Sequence, residues 1–314
     1  MAGKLSAFLK SWMLPIAMTA GASVYLLLHF VPSFSDAAYL RFSSRTQPIL
    51  IGIMLFLQLN LVSPKDLRFH RWHLILLSIQ ASLFAGLGAL SLTLPSGGAR
   101  VMLECAMLCF ICPTASAAGV ITSKLGGDLA GVMTYTILSN TLASLLIPLM
   151  VPFVHPAADL GYGLLLWAIV KRVFSLLVLP LIAAWLIRYL IPSLQKWLAG
   201  FAGWAFYIWG LCLMLSISLA TASLVNSGIR WTLVLGIAVV SLVCCLTQFG
   251  LGHRIGRRNS RSEEITAGQA LGQKNTGFII WLSLSYMTPV TSVAGGLYAI
   301  WHNLVNSWEL AHRK

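Results

Sequence analysis

One polar run limits what this chain can fold into: Gly268-Gln269-Ala270-Leu271-Gly272-Gln273-Lys274-Asn275-Thr276-Gly277. It carries a lysine, three carboxamides, a hydroxyl and three glycines, and it interrupts an apolar stretch, residues 263–287, of membrane-spanning length. The hydrocarbon core offers backbone groups no water, so a regular helix is the default there, and irregular backbone is tolerated only where it faces protein or a cavity. The run therefore predicts an interrupted helix. Lys274 sits near the middle, about 15 Å from either surface at 1.5 Å per residue, too deep for its stem to snorkel. An intramembrane cation marks a functional site by default. A second polar stretch broken by Pro and Gly, Cys112-Pro113-Thr114-Ala115-Ser116-Ala117-Ala118-Gly119-Val120-Ile121-Thr122, lies between apolar runs in the first half. One broken span in each half is the sequence mark of a transporter binding site.

The rest of the chain fits an all-α polytopic membrane protein. Only 9% of its residues are charged and 58% are apolar, against about 25% charged in soluble domains. Ten spans can be read, at about 12–31, 46–63, 72–94, 100–124, 128–153, 162–190, 203–223, 231–252, 263–287 and 289–309. With the N-terminus inside, fourteen Lys and Arg fall in inner segments and four (Arg41, Arg45, Arg100 and Arg230) in outer ones. That bias predicts both termini in the cytoplasm of an integral, bacterial inner-membrane protein, and it accounts for the net charge of +13 without nucleic acid. Lys171 and Arg172 remain inside the sixth span, in its outer part, where snorkelling is expected. No cleavable signal peptide is expected, because the first apolar stretch is too long and lacks a small-residue cleavage site. Ten spans divide into five and five, residues 1–157 and 158–314, and an odd number per half gives inverted repeats with broken helices 4 and 9 crossing near the midplane. The six cysteines lie in apolar runs; Cys105, Cys109 and Cys112 share one helical face, which reads as packing or as a soft-metal site.

The two broken stretches, with Gly127-Asp128 and Trp301-His302-Asn303, resemble the bile acid:sodium symporter family over nearly the whole chain. The resemblance implies a panel domain of spans 1, 2, 6 and 7, a core domain of spans 3–5 and 8–10, and transport of organic anions with sodium by alternating access. It also implies where sodium ligands should stand, and most are missing. A serine–asparagine pair is replaced by Ala118 and Gly119, an early hydroxyl of span 5 by Val132, a shared glutamate of span 9 by Ala270, and a glutamine by Lys274. Thr136 keeps a second hydroxyl, and the carboxamides Gln269 and Gln273 remain, Gln269 as a substitute oxygen donor. The expectation is a sodium-independent transporter in which Lys274 supplies the positive charge that sodium supplies elsewhere. A degenerate sodium- or proton-coupled site is the alternative.

The acids sharpen this. Of eight Asp and Glu, none lies near the midplane, and Glu104, about one turn inside span 4, reads as solvated. Lys274 is then left to pair with an anionic substrate, to cap carbonyls freed at a helix break such as the end of the first half of span 9, or to exchange a proton when desolvated. Thr114, Ser116, Asn275, His302 and Asn303 join it as candidate substrate-binding residues. Arsenite-type efflux and a non-transporting membrane receptor are the competing functions. No catalytic set, cofactor motif or metal framework is evident, so neither an enzyme nor a cofactor is expected; the expected partners are an organic anion and the bilayer.

Overall fold

The computed structural model of the protein describes residues 2–31, 35–115, 117–156, 161–201, 203–226, 228 and 230–312. Among them the chain is all helical: α1 (Ala2–His29), α2 (Asp36–Leu59), α3 (Arg71–Leu92), α4 (Gly98–Ile111), α5 (Ala118–Lys124), α6 (Leu129–Val154), α7 (Tyr162–Leu177), α8 (Leu179–Leu190), α9 (Pro192–Ala199), α10 (Trp204–Asn226), α11 (Trp231–Gly256), α12 (Arg261–Gly272), α13 (Thr276–Tyr286) and α14 (Pro289–His312). By length and composition, four helices among the described residues qualify as membrane spans: Arg71–Leu92, Leu129–Val154, Trp204–Ala222 and Trp231–Gly256. The pair α7–α8, bent by 43°, adds a fifth if it is one span.

Local chemistry sets the boundaries. Pro113 has no N–H and disfavours helix in the residue before it, so α4 stops and Cys112 turns extended, with ψ at 130°. α5 ends in a Schellman motif: Gly126 takes the left-handed conformation (φ +80°), its N–H reaches Ser123 O, and the Gly127 N–H reaches Thr122 O at 2.8 Å. Asp128 then caps α6 by accepting from the Ala130 N–H. α12 ends at Gly272, and Asn275 opens α13 by accepting from the Phe278 N–H.

One detail differs from the sequence reading. The stretch 162–190 is not one straight helix but breaks at Val178, just before Pro180. A short helix, α9, follows the end of α8 beyond the sixth span and starts at Pro192, where a missing N–H costs nothing.

Apolar packing forms two main layers. One cluster joins α2 and α3 through α6 and α7 to α12 and α13; a second joins α4, α11 and α14 around Phe110, Cys244, Phe249 and Tyr298. Helices α11 and α12 approach closely because glycines face the contact: a Cβ on Gly252 would lie 2.3 Å from Ala267 O, and one on Gly256 2.2 Å from Glu263 O. Backbone cannot yield as a flexible side chain can. Gly252→Val is therefore expected to destabilise the protein by at least about 1–3 kcal/mol, the usual range for overpacking. Gly250→Val, on the same helix with nothing within 4 Å of its Cβ, supplies the control and should leave the unfolding midpoint in detergent nearly unchanged.

Candidate functional site

The two interruptions meet. Thr114 and Lys274 pair as an isolated antiparallel bridge. The Ala115 N–H donates to Gln273 O at 2.8 Å, and the Asn275 N–H donates to Pro113 O at 2.9 Å. Each break thus satisfies backbone groups that the other leaves open, as a buried backbone requires.

The carbonyls freed where α4 and α12 stop are also satisfied. Gln248 donates to Cys109 O, Lys274 Nζ to Phe110 O at 3.3 Å, and Gln80 to Ile111 O at 3.0 Å and Cys112 O at 3.3 Å. On the other side Thr114 Oγ1 donates to Ala270 O at 2.7 Å and the Tyr298 hydroxyl to Gly272 O at 2.8 Å. Tyr135 donates to Gln80 Oε1 and Gln248 donates to Tyr298 Oη, which fixes the capping groups in turn. Gln80, Gln248, Tyr135 and Tyr298 were not picked out from sequence. Buried amides in the apolar runs of α3 and α11 were the available signal.

Lys274 is 1% exposed. Among the described residues its ammonium has one hydrogen-bond partner, Phe110 O, and meets no carboxylate. The carbonyl it caps belongs to the first half of span 4, not of span 9 as one expectation had it. Its position at the C-terminal end of α4 suits a cation, because the helix dipole is negative there.

A cavity of about 30 Å³ lies at this point, lined by Gln273, Lys274, Asn275, His302 and Asn303 together with Ala115, Met54, Trp209 and Ser216. That leaves room for water but is far below the roughly 300 Å³ at which small-molecule sites begin. His302 is buried, its ring edge-on to Tyr298, and its Nδ1 has no partner among the described residues. Asn303 donates back to Ala299 O on its own helix. Asn275 serves as the α13 cap. Thr114 does not line the cavity; its N–H goes to Ser139 Oγ and its hydroxyl to Ala270 O. Ser116 lies outside the described residues.

Four of the positions matched to sodium ligands, Ala118, Gly119, Val132 and Ala270, offer no side-chain oxygen. Ala118 is buried at the start of α5, and a Cβ on Gly119 would press on Leu129 and Met133. Val132 is fully buried, and the Thr136 hydroxyl donates to Val132 O at 2.8 Å within its own helix. Ala270 is buried. Gln269 uses its amide nitrogen, donating to Asn306 Oδ1 at 3.1 Å and Glu309 Oε2 at 2.8 Å; Gln269 Oε1 and Gln273 Oε1 have no partner among the described residues.

Glu104 is not solvated. It is 1% exposed, with Arg100 Nε at 3.0 Å and His155 Nε2 at 2.9 Å. Glu309 is equally buried and meets His253 Nε2 at 2.6 Å. Cys105, Cys109 and Cys112 are free thiols; the first two pack in the α4–α11–α14 cluster, and Cys112 Sγ donates to Asn275 O at 3.0 Å.

Across the chain, the model of the Sodium Bile acid symporter family matches residues 48–227, more than half the length, and the chain belongs to that family. It is accordingly an integral membrane protein of a transporter family. The match takes in the first broken stretch; Lys274 lies beyond it. No curated protein matches the chain.

The capping network makes a direct stability prediction. Tyr298→Phe keeps the ring but strips Gly272 O and Gln248 of their shared partner, at an expected cost of about 1–3 kcal/mol for buried groups left unpaired. Thermal unfolding in detergent should register this, while Tyr162→Phe, at an exposed hydroxyl, should shift little.

Proposed function

We propose that the protein is a secondary transporter of organic anions that works by alternating access without sodium, with the Lys274 ammonium as a fixed charge at the ion-binding crossover. Its ten spans form inverted repeats over residues 1–157 and 158–314. Spans 1, 2, 6 and 7 make the panel, spans 3–5 and 8–10 the core, and both termini are cytoplasmic in the bacterial inner membrane. Family membership supports the transporter class.

The observation that carries the ion substitution is the state of Lys274: buried, partnered by one carbonyl, matched by no carboxylate among the described residues, and lining a cavity with His302 and Asn303. Sodium binding asks for about five or six oxygens, with a carboxylate helping to neutralise the ion. Here Ala118, Gly119, Val132 and Ala270 contribute no side-chain oxygen, which leaves the Thr136 hydroxyl and the Gln269 and Gln273 carbonyl oxygens, short of that number and without a carboxylate. An ammonium at the same place provides positive charge with no ion to recruit. An organic anion arriving at the crossover would then meet a permanent countercharge.

Lys274→Gln separates charge from capping. A glutamine amide still has an N–H to offer Phe110 O, so the fold should survive, while the charge is gone. Proteoliposome uptake of a labelled bile acid and of a small carboxylate should fall at least tenfold, with the unfolding midpoint little changed. A folded Gln variant with normal flux would overturn the role given to Lys274.

A further inference from the structure

We propose that the large cavity between α2, the bent pair α7–α8 and α13 binds an amphiphile whose head carries two negative charges. Arg45, Lys171 and Arg172 hold the head, and the apolar trough beyond them holds the body. This rests on the reading of the chain as an organic-anion transporter and names the class of anion it takes.

The cavity measures about 1060 Å³, the upper end of the range for small-molecule sites. Its polar and apolar lining is segregated along the helices. On α2 the first lining residue is Arg45, and Ile49, Gly52, Ile53 and Phe56 follow. On α7–α8 the first are Lys171 and Arg172, followed by Leu176, Leu179 and Pro180. The two elements run parallel, because their far ends are pinned together: Arg188 donates to Asn60 O at 3.0 Å and Trp185 to Val62 O at 3.2 Å. Arg45 lies fifteen residues before Asn60, and Arg172 sixteen before Arg188. Both are about 23 Å back along their helices at 1.5 Å per residue. The three cations therefore share one level at one end of the cavity, and the apolar lining extends from there toward the pinned end.

No carboxylate among the described residues neutralises them. The cavity lining contains no Asp or Glu, and among the described residues none of the three cations forms an ion pair. What they do have is aromatic support. Lys171 Nζ lies 5.2 Å from the centre of the Trp167 ring, and the Arg172 guanidinium lies 5.9 Å from that of Tyr286. Such rings hold a cation in place but carry no formal charge. All three are exposed at the end of the cavity; a head with one negative charge would leave two of them unmatched, and a doubly charged head leaves one. Two guanidinium forks favour a flat or tetrahedral oxyanion, such as a phosphate monoester or a dicarboxylate. The apolar walls require the rest of the molecule to be hydrocarbon.

The bend at Val178 and the glycine at position 52 help leave the trough open. A Cβ on Gly52 would meet nothing within 4 Å. Trp281 and Ser285 of α13 close one wall. Trp281 lies seven residues beyond Lys274, so the ligand touches the helix that begins at the crossover.

Two probes with the same tail isolate the charge. Decyl phosphate is a dianion at pH 8, because the second pKa of a phosphate monoester is about 6; decyl sulfate stays a monoanion with a similar tetrahedral head. Titration calorimetry on the purified chain in a neutral detergent should show phosphate binding at least tenfold tighter than sulfate. Lys171→Gln with Arg172→Gln should bring the phosphate down to the sulfate's affinity, and Gly52→Phe should block both probes; Lys171 and Arg172 are exposed and Gly52 has open space beside it, so the unfolding midpoints should stay close to the parent's. Equal affinity for the two heads, or no effect of removing the cations, would overturn the proposal. So would loss of decyl phosphate binding in nanodiscs of phosphatidylglycerol but not of phosphatidylcholine, because the site would then hold a lipid headgroup. Failure of binding leaves the Lys274 flux test untouched, whereas lost flux with intact binding would count against transport alone.

Discussion

The antiparallel pair of Thr114 with Lys274 is the contact on which the centre of this protein depends. Two helices stop inside the molecule, and each stop exposes carbonyl and N–H groups that an apolar interior cannot solvate. The extended residues of one break pair with those of the other, and the remaining carbonyls are taken by Gln80, Gln248, Thr114, Tyr298 and Lys274. No residue in this set can be moved alone without leaving a buried group unpaired. The breaks are thus held rigidly, and side chains placed on them are positioned by the backbone network.

Charge follows the same logic. The buried carboxylates are matched where they stand: Glu104 by Arg100 and His155, Glu309 by His253 and Gln269. Neither is left over for Lys274. Its ammonium instead sits at the carbonyl end of α4, with a single hydrogen bond among the described residues, in the position where the resemblance to sodium-using relatives puts an ion ligand. A purely capping lysine would explain the hydrogen bond. It would not explain the place of the ammonium in the wall of a cavity beside His302 and Asn303, with no carboxylate partner among the described residues.

Much of this was legible in the sequence. Polar residues inside long apolar stretches announced both breaks, because lipid tolerates them only in an interrupted helix, and Pro113 fixed where α4 ends. The family resemblance also stood on those motifs. Other features were hidden because they depend on which helices pack together. Glu104 looked solvated by its distance from the end of its span, yet His155, from the far end of α6, covers it. Lys171 and Arg172 looked like snorkelling residues, and only the pinning of α8 to the end of α2 brings them level with Arg45. The bend at Val178 was missed because Pro180 sits in the first turn of α8, where proline is compatible with helix on either side of a break.

Lys274 stands in for sodium only if the crossover does not recruit the ion itself. Thermal unfolding of the purified protein in sodium chloride against choline chloride, at equal ionic strength, tests that directly. A ligand that binds only the folded state adds about 2.7 kcal/mol at a hundredfold excess over its Kd. The same midpoint is expected in both salts, because the positive charge is already built in. A saturable upward shift specific to sodium, lost in Gln269→Ala or Thr136→Val, would show that an ion site survives and would contradict the role assigned to Lys274.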